Sequence, residues 1–324
     1  MCGGQLLRRT TPCLDLVRRL VVYSIFVTGS LSFYLSWWGS VRIDYLALGH
    51  PTLDLQPGAP PALGGSVIYS AIQATRLGFH STIFGRADPI ALQSYWQPYA
   101  KEVHLHLQPS NSITTFYNAS ASNSREQWLK AWAGAIRQVE PLPASEIFHI
   151  APVAQEVVIE TLLTEGKSRL VCLTAQGLLR KWNDTDGHVS LVHRSFARTI
   201  AAAVDIVVVS ESEAEYIGDF LMAVAEQGGL SVVTQGSRGC EVWTRRDRTT
   251  FDAFPPDRVV DTTGAGDCFA ATMAVGIYLG KPLAQAVRSA AIAASLCIGD
   301  HATKGIGTRL QIEQKLINPT PDVS

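Results

Sequence analysis

Residues 261–267 read Asp-Thr-Thr-Gly-Ala-Gly-Asp and lead into a stretch without charge that runs to Leu279. Small residues at 264–266 let backbone N–H groups approach a ligand, and a helix start aims several of them the same way. Such a turn binds an anion. A carboxylate at Asp267 is out of place there unless it has a task of its own. Phosphoryl transfer to an alcohol needs this combination: one group orients and deprotonates the hydroxyl while amides take up charge on the phosphoryl group. The same residues also describe a plain helix start, with Asp267 favouring the dipole and the glycines making a turn. Composition alone does not separate the two.

The elements that must carry this loop alternate between strands and helices. Tyr45 to Leu48 reads as a short buried strand ending at Gly49. A loop with Pro51, Pro57, Pro60 and Pro61 follows, then a helix from Ser66 to Leu77 that Gly78 terminates. Further strands are expected at 81–84, 103–107, 114–117, 146–150, 170–173, 205–209 and 230–234, with a helical stretch at 155–165. Residues 240–244 and 249–254 read as a hairpin. Two apolar helices, 266–279 and 283–296, close the domain. Nearly continuous β-branched strands separated by helices predict an α/β fold with a parallel sheet covered on both faces. There is no internal repeat and no long linker after Arg42, so a single domain is expected.

The chain has 324 residues, 47% of them hydrophobic and 17% charged, with a net charge of -1. That excludes a disordered chain, and the lack of basic excess argues against a nucleic-acid binder. The seven tryptophans are scattered and make no stacking platform for bases. From Leu20 to Val41 no residue is charged, but serines and glycines interrupt the run. A dispensable extension, a membrane anchor and a secretory signal all fit residues 1–41. The six cysteines form no Cys-x-x-Cys pair, and the default is reduced, buried thiols. A cytoplasmic protein is expected, with anchoring through 20–41 as the alternative. His104 and His106 share one strand face, yet no third ligand lies near.

The Asp261–Asp267 segment with its apolar helix resembles the C-terminal signature of the ribokinase-like sugar kinases, the PfkB family. Other segments agree in order. Leu63-Gly64-Gly65-Ser66 resembles the N-terminal Gly-Gly signature. Gly49 with Asp54 is similar to the first-strand loop, and Val233 to Gly239 to the nucleotide-binding turn. Ala290 to Ser295 with Gly305-Ile306 resembles the stretch lining the adenine pocket. The resemblance covers about residues 42–312, leaving 1–41 as an extension and 313–324 as a tail. It implies a ribokinase-like three-layer sandwich with a mostly parallel central sheet and a small β lid near 51–62 and 108–118.

The resemblance also implies roles. Asp267 would be the base, with Gly264, Ala265 and Gly266 as the anion hole. Thr234, Gly236 and Gly239 would contact ATP, and Asp54, Gly64 and Gly65 the acceptor, a small sugar, polyol, cyclitol or nucleoside. Glu213 would hold Mg2+ through water, while Asp261 and Thr263 would sit near a monovalent cation such as K+. Homodimers through the lid stay open. Two departures stand out. Ser210 replaces the asparagine of the usual Asn-x-x-Glu element, keeping only Glu213. Tyr69 replaces an asparagine on the first helix, which looks more like the inositol kinases. A non-catalytic sugar or nucleotide sensor is the alternative function.

Overall fold

A computed structural model describes residues 43–121, 124–137, 142–163 and 168–318. The extension 1–41, and with it the uncharged run, lies outside the described residues. Among the described residues no helix is long and apolar enough to cross a membrane.

A nine-stranded sheet forms the centre. Its strands are β1 (Tyr45–Leu48), β4 (Ser81–Ala87), β5 (His104–Pro109), β8 (Ile147–Ile150), β9 (Leu170–Thr174), β12 (Ile206–Ser210), β13 (Leu230–Thr234), β14 (Cys240–Trp243) and β15 (Arg248–Phe251). Their spatial order is β15-β14-β13-β12-β9-β8-β1-β4-β5. The block from β13 to β5 is parallel, and β14 and β15 add an antiparallel edge. All of β1, β8 and β9 is buried, as expected when helices cover both faces.

Among the described residues, helices of eight residues or more are α1 (Ser66–Arg76), α2 (Pro89–Trp96), α3 (Gly218–Glu226), α4 (Ala265–Tyr278), α5 (Leu283–Cys297) and α6 (Arg309–Ile317). Alternate strand residues Tyr45, Ala47, Ile206 and Val208 share one hydrophobic cluster with Ile68 and Ile72 of α1, Ala270 of α4 and Ile292 of α5. Their neighbours Leu46, Leu48, Val207 and Val209 point the other way and are also buried. α3 contacts β12, β13 and β14 and buries Phe220, Leu221 and Val224. These are the three layers of the expected sandwich.

A second sheet has the order β3-β2-β6-β7, from β2 (Thr52–Leu55), β3 (Ala62–Gly64), β6 (Thr114–Ala121) and β7 (Ser124–Ala131). It extends beyond the segments expected for a lid, because β7 pairs antiparallel with β6 although its sequence, Ser-Arg-Glu-Gln-Trp-Leu-Lys-Ala, carries no strand pattern. A small hairpin, β10 (Arg180–Trp182) with β11 (Val189–Leu191), lies against the edge of β7: Trp128 bridges His188, and Leu129 N–H donates to Gly187 O at 2.8 Å.

Three expectations are corrected. The helical stretch expected at 155–165 is reduced to one turn, Ile159–Leu162, among the described residues. Gln155 adopts φ +54, a left-handed conformation that stops a helix. The fully buried Glu156 folds back to accept N–H donors from Val153, Ala154 and, across the fold, His50. The strand expected at 249–254 ends at Phe251. Helix α6 crosses the expected start of the tail at 313, capped by Thr308, whose side chain accepts Gln311 N–H.

Candidate active site

The sheet changes direction of growth at β1, with β4 and β5 on one side and β8, β9, β12 and β13 on the other. Loops at the carboxyl ends of strands beside such a switch are where ligands bind in open α/β sheets. β1 leads through Gly49 to Asp54, β8 to the 151–156 turn, β9 to Gln176 and Arg180, β12 to Glu213, and β13 to the 234–239 turn.

Asp267 lies in the first turn of α4, half-buried. Burial raises its carboxyl to a pKa of about 7. A hydrogen bond from the Ser66 side chain and the Arg180 guanidinium oppose that rise, while the Glu213 and Asp54 carboxylates add to it. These residues come from four separate stretches of chain and surround one carboxylate. Asp267 and Asp54 are therefore within electrostatic reach of each other.

Gly264 precedes α4 with φ +79, in the left-handed region. A Cβ there would overlap the ring of Tyr69, which is 1% exposed. The tyrosine at the asparagine position thus packs directly on the Gly-Ala-Gly turn. Tyr69 also lies within electrostatic reach of Asp54 and Asp261. At Gly266, by contrast, an added Cβ would meet nothing within 4 Å. The turn is closed on its Tyr69 side and open at Gly266. Ala265 starts the helix between them. At the start of α1, Gly65 is the N-cap with φ +97, and a Cβ on Gly64 would collide with the Asp54 carboxylate. Gly64 is thus needed for Asp54 to lie where it does, while a Cβ on Gly65 would strike His50 O.

Asp261 ties the loop down. Its Oδ1 accepts Thr263 N–H at 2.9 Å and its Oδ2 accepts Ala302 N–H at 3.1 Å, while the N–H groups of Val260 and Asp261 both donate to Ile298 O. Thr263 O faces the Cys297 thiol at 3.7 Å. Carboxylate and carbonyl oxygens are the donor chemistry of a hard cation, so Asp261 and Thr263 suit one. Among the described residues no group of three or more His, Cys, Asp or Glu could hold a metal. Glu213 is half-buried and closes a capping box with Ser210, accepting its N–H at 2.8 Å. One of its oxygens is thereby engaged in holding the helical turn Glu211–Ala214. A single carboxylate fits Mg2+ that takes its remaining oxygens from water and phosphates.

Thr234 ends β13 opposite Ser210 and donates to Val209 O at 3.2 Å. The turn after it closes with Gln235 N–H on Gly239 O at 2.8 Å. Gly236 has φ +60 and open space at its Cβ position, whereas a Cβ on Gly239, at φ +96, would strike Phe251 O. Gly239 is needed by the fold, and Gly236 leaves room for a ligand. A cavity of about 420 Å³ includes Ser295, Gly305 and Ile306 of the expected adenine stretch, but no residue of 234–239 or 261–267.

Several other polar side chains have structural roles. Asp88 caps α2 by accepting the N–H groups of Ile90 and Ala91, and Arg86 donates to Ala135 O. Cys268 is buried and its thiol is pushed up, chiefly by burial. His106 stacks on Phe84. Sequence reasoning missed Ser66, Gln176 and Arg180. The available signal was a glutamine and an arginine directly after a buried strand, where the chain emerges on the ligand side.

The pfkB family carbohydrate kinase model matches residues 64–307, about three quarters of the chain. The chain belongs to that family. A cytidine kinase from Thermococcus kodakarensis is 31% identical over 153 residues, 44% of this chain and 52% of the relative. An inositol 3-kinase from Zea mays is 34% identical over 131 residues, 40% of this chain and 33% of the relative. The chain thus spans about half and a third of the length of these two relatives. The Arabidopsis thaliana ribokinase complexed with ribose and ATP superposes with a TM-score of 0.66, at 17% identity, covering 85% of this chain and 99% of that one. The fold is ribokinase-like.

Proposed function

We propose that this chain uses ATP to phosphorylate a hydroxyl of a small sugar, cyclitol or nucleoside, with Asp267 as the base. The observation that carries this reading is the carboxylate of Asp267, raised to about 7, in the first turn of a helix that Gly264 opens and within reach of Asp54. A base poised near neutrality can take a proton at physiological pH and still be a useful acceptor. Asp54, with Gly64 giving it room, binds acceptor hydroxyls, and Gly65 lies beside it on the acceptor. Thr234, Gly236 and Gly239 bind the nucleotide. The acceptor oxygen loses its proton to Asp267 and forms the bond to the γ-phosphorus. The bond from that phosphorus to the β,γ-bridging oxygen breaks, and ADP leaves. The amides of Gly264, Ala265 and Gly266 stabilise the charge on the transferred group. Glu213 would hold Mg2+ through water, which would supply neutralisation of the donor phosphates, and Asp261 and Thr263 would hold a monovalent cation such as K+ that would order the loop. The cytidine and inositol kinases among the relatives favour a nucleoside or cyclitol acceptor.

The test is ADP release by the full chain with ATP, Mg2+ and a panel of myo-inositol, ribose, cytidine and inosine. Turnover with at least one acceptor is expected. ATP binding without turnover on any of them would favour a nucleotide sensor, a reading that the capping bond of Glu213 and the replacement at Ser210 also fit.

The pH dependence follows from the direction of the Asp267 shift. The base works only when deprotonated, so kcat/KM for the acceptor should fall about tenfold per pH unit below about 7 and level off above it. An unperturbed carboxylate would place that limb near 4. A pH–rate profile with a flat region from pH 5 to 8 would rule the poised base out.

A further inference from the structure

The hydrogen bonds leading to Asp267 all run in one direction. A guanidinium can donate but never accept. Nη2 of Arg180 donates to Oε1 of Gln176 at 2.9 Å. That contact decides which end of the amide faces Arg180, so Nε2 faces the other way and donates to Oγ of Ser66. With its oxygen accepting there, the Ser66 hydroxyl hydrogen is left to donate to the Asp267 side chain.

Every member is held from behind. Nη1 of Arg180 donates to Val153 O at 3.0 Å, its carbonyl accepts Gln155 Nε2, and its guanidinium lies 5.3 Å from the ring centroid of Phe116 in the lid strand β6. Gly177, next to Gln176, has no room for a Cβ against the Pro152 backbone. It donates to Pro152 O at 3.1 Å and accepts Gln155 N–H at 3.0 Å. Ser66 is 1% exposed. The left-handed Gln155 is thus locked to both Gly177 and Arg180, which accounts for a conformation that non-glycine residues rarely adopt.

We propose that Arg180, Gln176 and Ser66 form a directional relay that orients the Asp267 carboxylate, keeping one oxygen on the Ser66 hydroxyl and turning the other to the acceptor hydroxyl. The three are positioning residues, and the proposal rests on the kinase reading of Asp267. The relay starts at the lid and at the β10–β11 hairpin that lies on the lid edge, so the base is registered to the surface that covers the acceptor. The other groups facing the carboxylate are Asp54 and Glu213, both acidic, and the buried Tyr45 and Cys268. None of these offers a cation in place of Arg180.

Gln176→Glu separates this role from packing. The substitution keeps size and shape and keeps an acceptor for Arg180, but it offers no N–H to Ser66. The Ser66 hydroxyl then donates to position 176, and Asp267 loses its donor. A fall in kcat of about 10- to 100-fold is expected, with the acceptor KM within about twofold and the melting temperature little changed. Ser66→Ala should show the same split. The double variant should be no slower than Ser66→Ala alone, because both break one chain. A merely structural glutamine, or a pure effect of the added charge, would instead give wild-type turnover or losses that multiply, and either result overturns the relay. A second arm needs no turnover: the Asp267 carboxyl is titrated by 13C NMR in the ligand-free full chain. Its midpoint should rise in Ser66→Ala, and an unmoved midpoint overturns the proposal. Absence of turnover in the wild type with every acceptor would defeat the kinase reading, while this arm would still decide the relay.

Discussion

Asp267→Asn is expected to lower kcat by about a thousandfold or more while the affinity for ATP stays within about twofold. The asparagine side chain has the same shape, and its Oδ1 can still accept the Ser66 hydroxyl, so the loop has no reason to move. What is lost is the negative charge and, with it, the ability to take a proton. Steady-state turnover with the best acceptor, and calorimetric titration with ATP, check the two halves. Turnover within tenfold of the wild type would remove Asp267 from the base role. The same variant should be more stable than the wild type at pH 8. A carboxyl raised from its ordinary range to about 7 binds more protons in the folded state than in the unfolded one. Stability therefore falls as pH rises from about 4 to about 7 and stays lower above that window. Asparagine carries no such loss. Melting temperatures should differ at pH 8 in favour of the variant, and the gap should close towards pH 4. The cost of keeping a base half-buried is then visible as stability regained when it is removed.

The parts of this site that were legible in the sequence are the parts that are local. The turn 261–267 is contiguous, and the helix start it leads into was readable from seven residues in order. The central strands announce themselves as unbroken buried runs, because a strand covered on both faces has no polar side to show. Strand β7 was not legible: Ser124 to Ala131 is charged at three of eight positions and acquires its extended form from pairing with β6. Glu156 misled in the opposite direction, since Gln155 to Glu165 has helical composition, and a buried carboxylate accepting three backbone donors overrides it. The contact of Gln176 with Ser66 joins residues 110 positions apart. Neither residue's type nor its spacing from the other carries any trace of it.

Two neighbouring glycines separate fold from function at the anion turn. Gly264→Ala is expected to destabilise the protein by about 3 kcal/mol or more and to abolish turnover. The left-handed φ of +79 costs a side chain roughly 1–2 kcal/mol. The new methyl group would also lie inside the Tyr69 ring, and that ring is packed in the core with nowhere to retreat. Displacing it is an overpacking defect of about 1–3 kcal/mol. Gly266→Ala should behave in reverse. Its backbone is helical, its Cβ position is empty, and alanine in a helix is favoured over glycine by about 1 kcal/mol. Denaturant titration should therefore show Gly266→Ala at least as stable as the wild type. Its turnover should nonetheless fall by 10-fold or more, because the space a methyl group would occupy is where a phosphoryl group must approach the amides. A variant at 266 that is both stable and fully active would show that the transferred group does not pass over this turn. A variant at 264 of wild-type stability would show that the Tyr69 ring is not held against it.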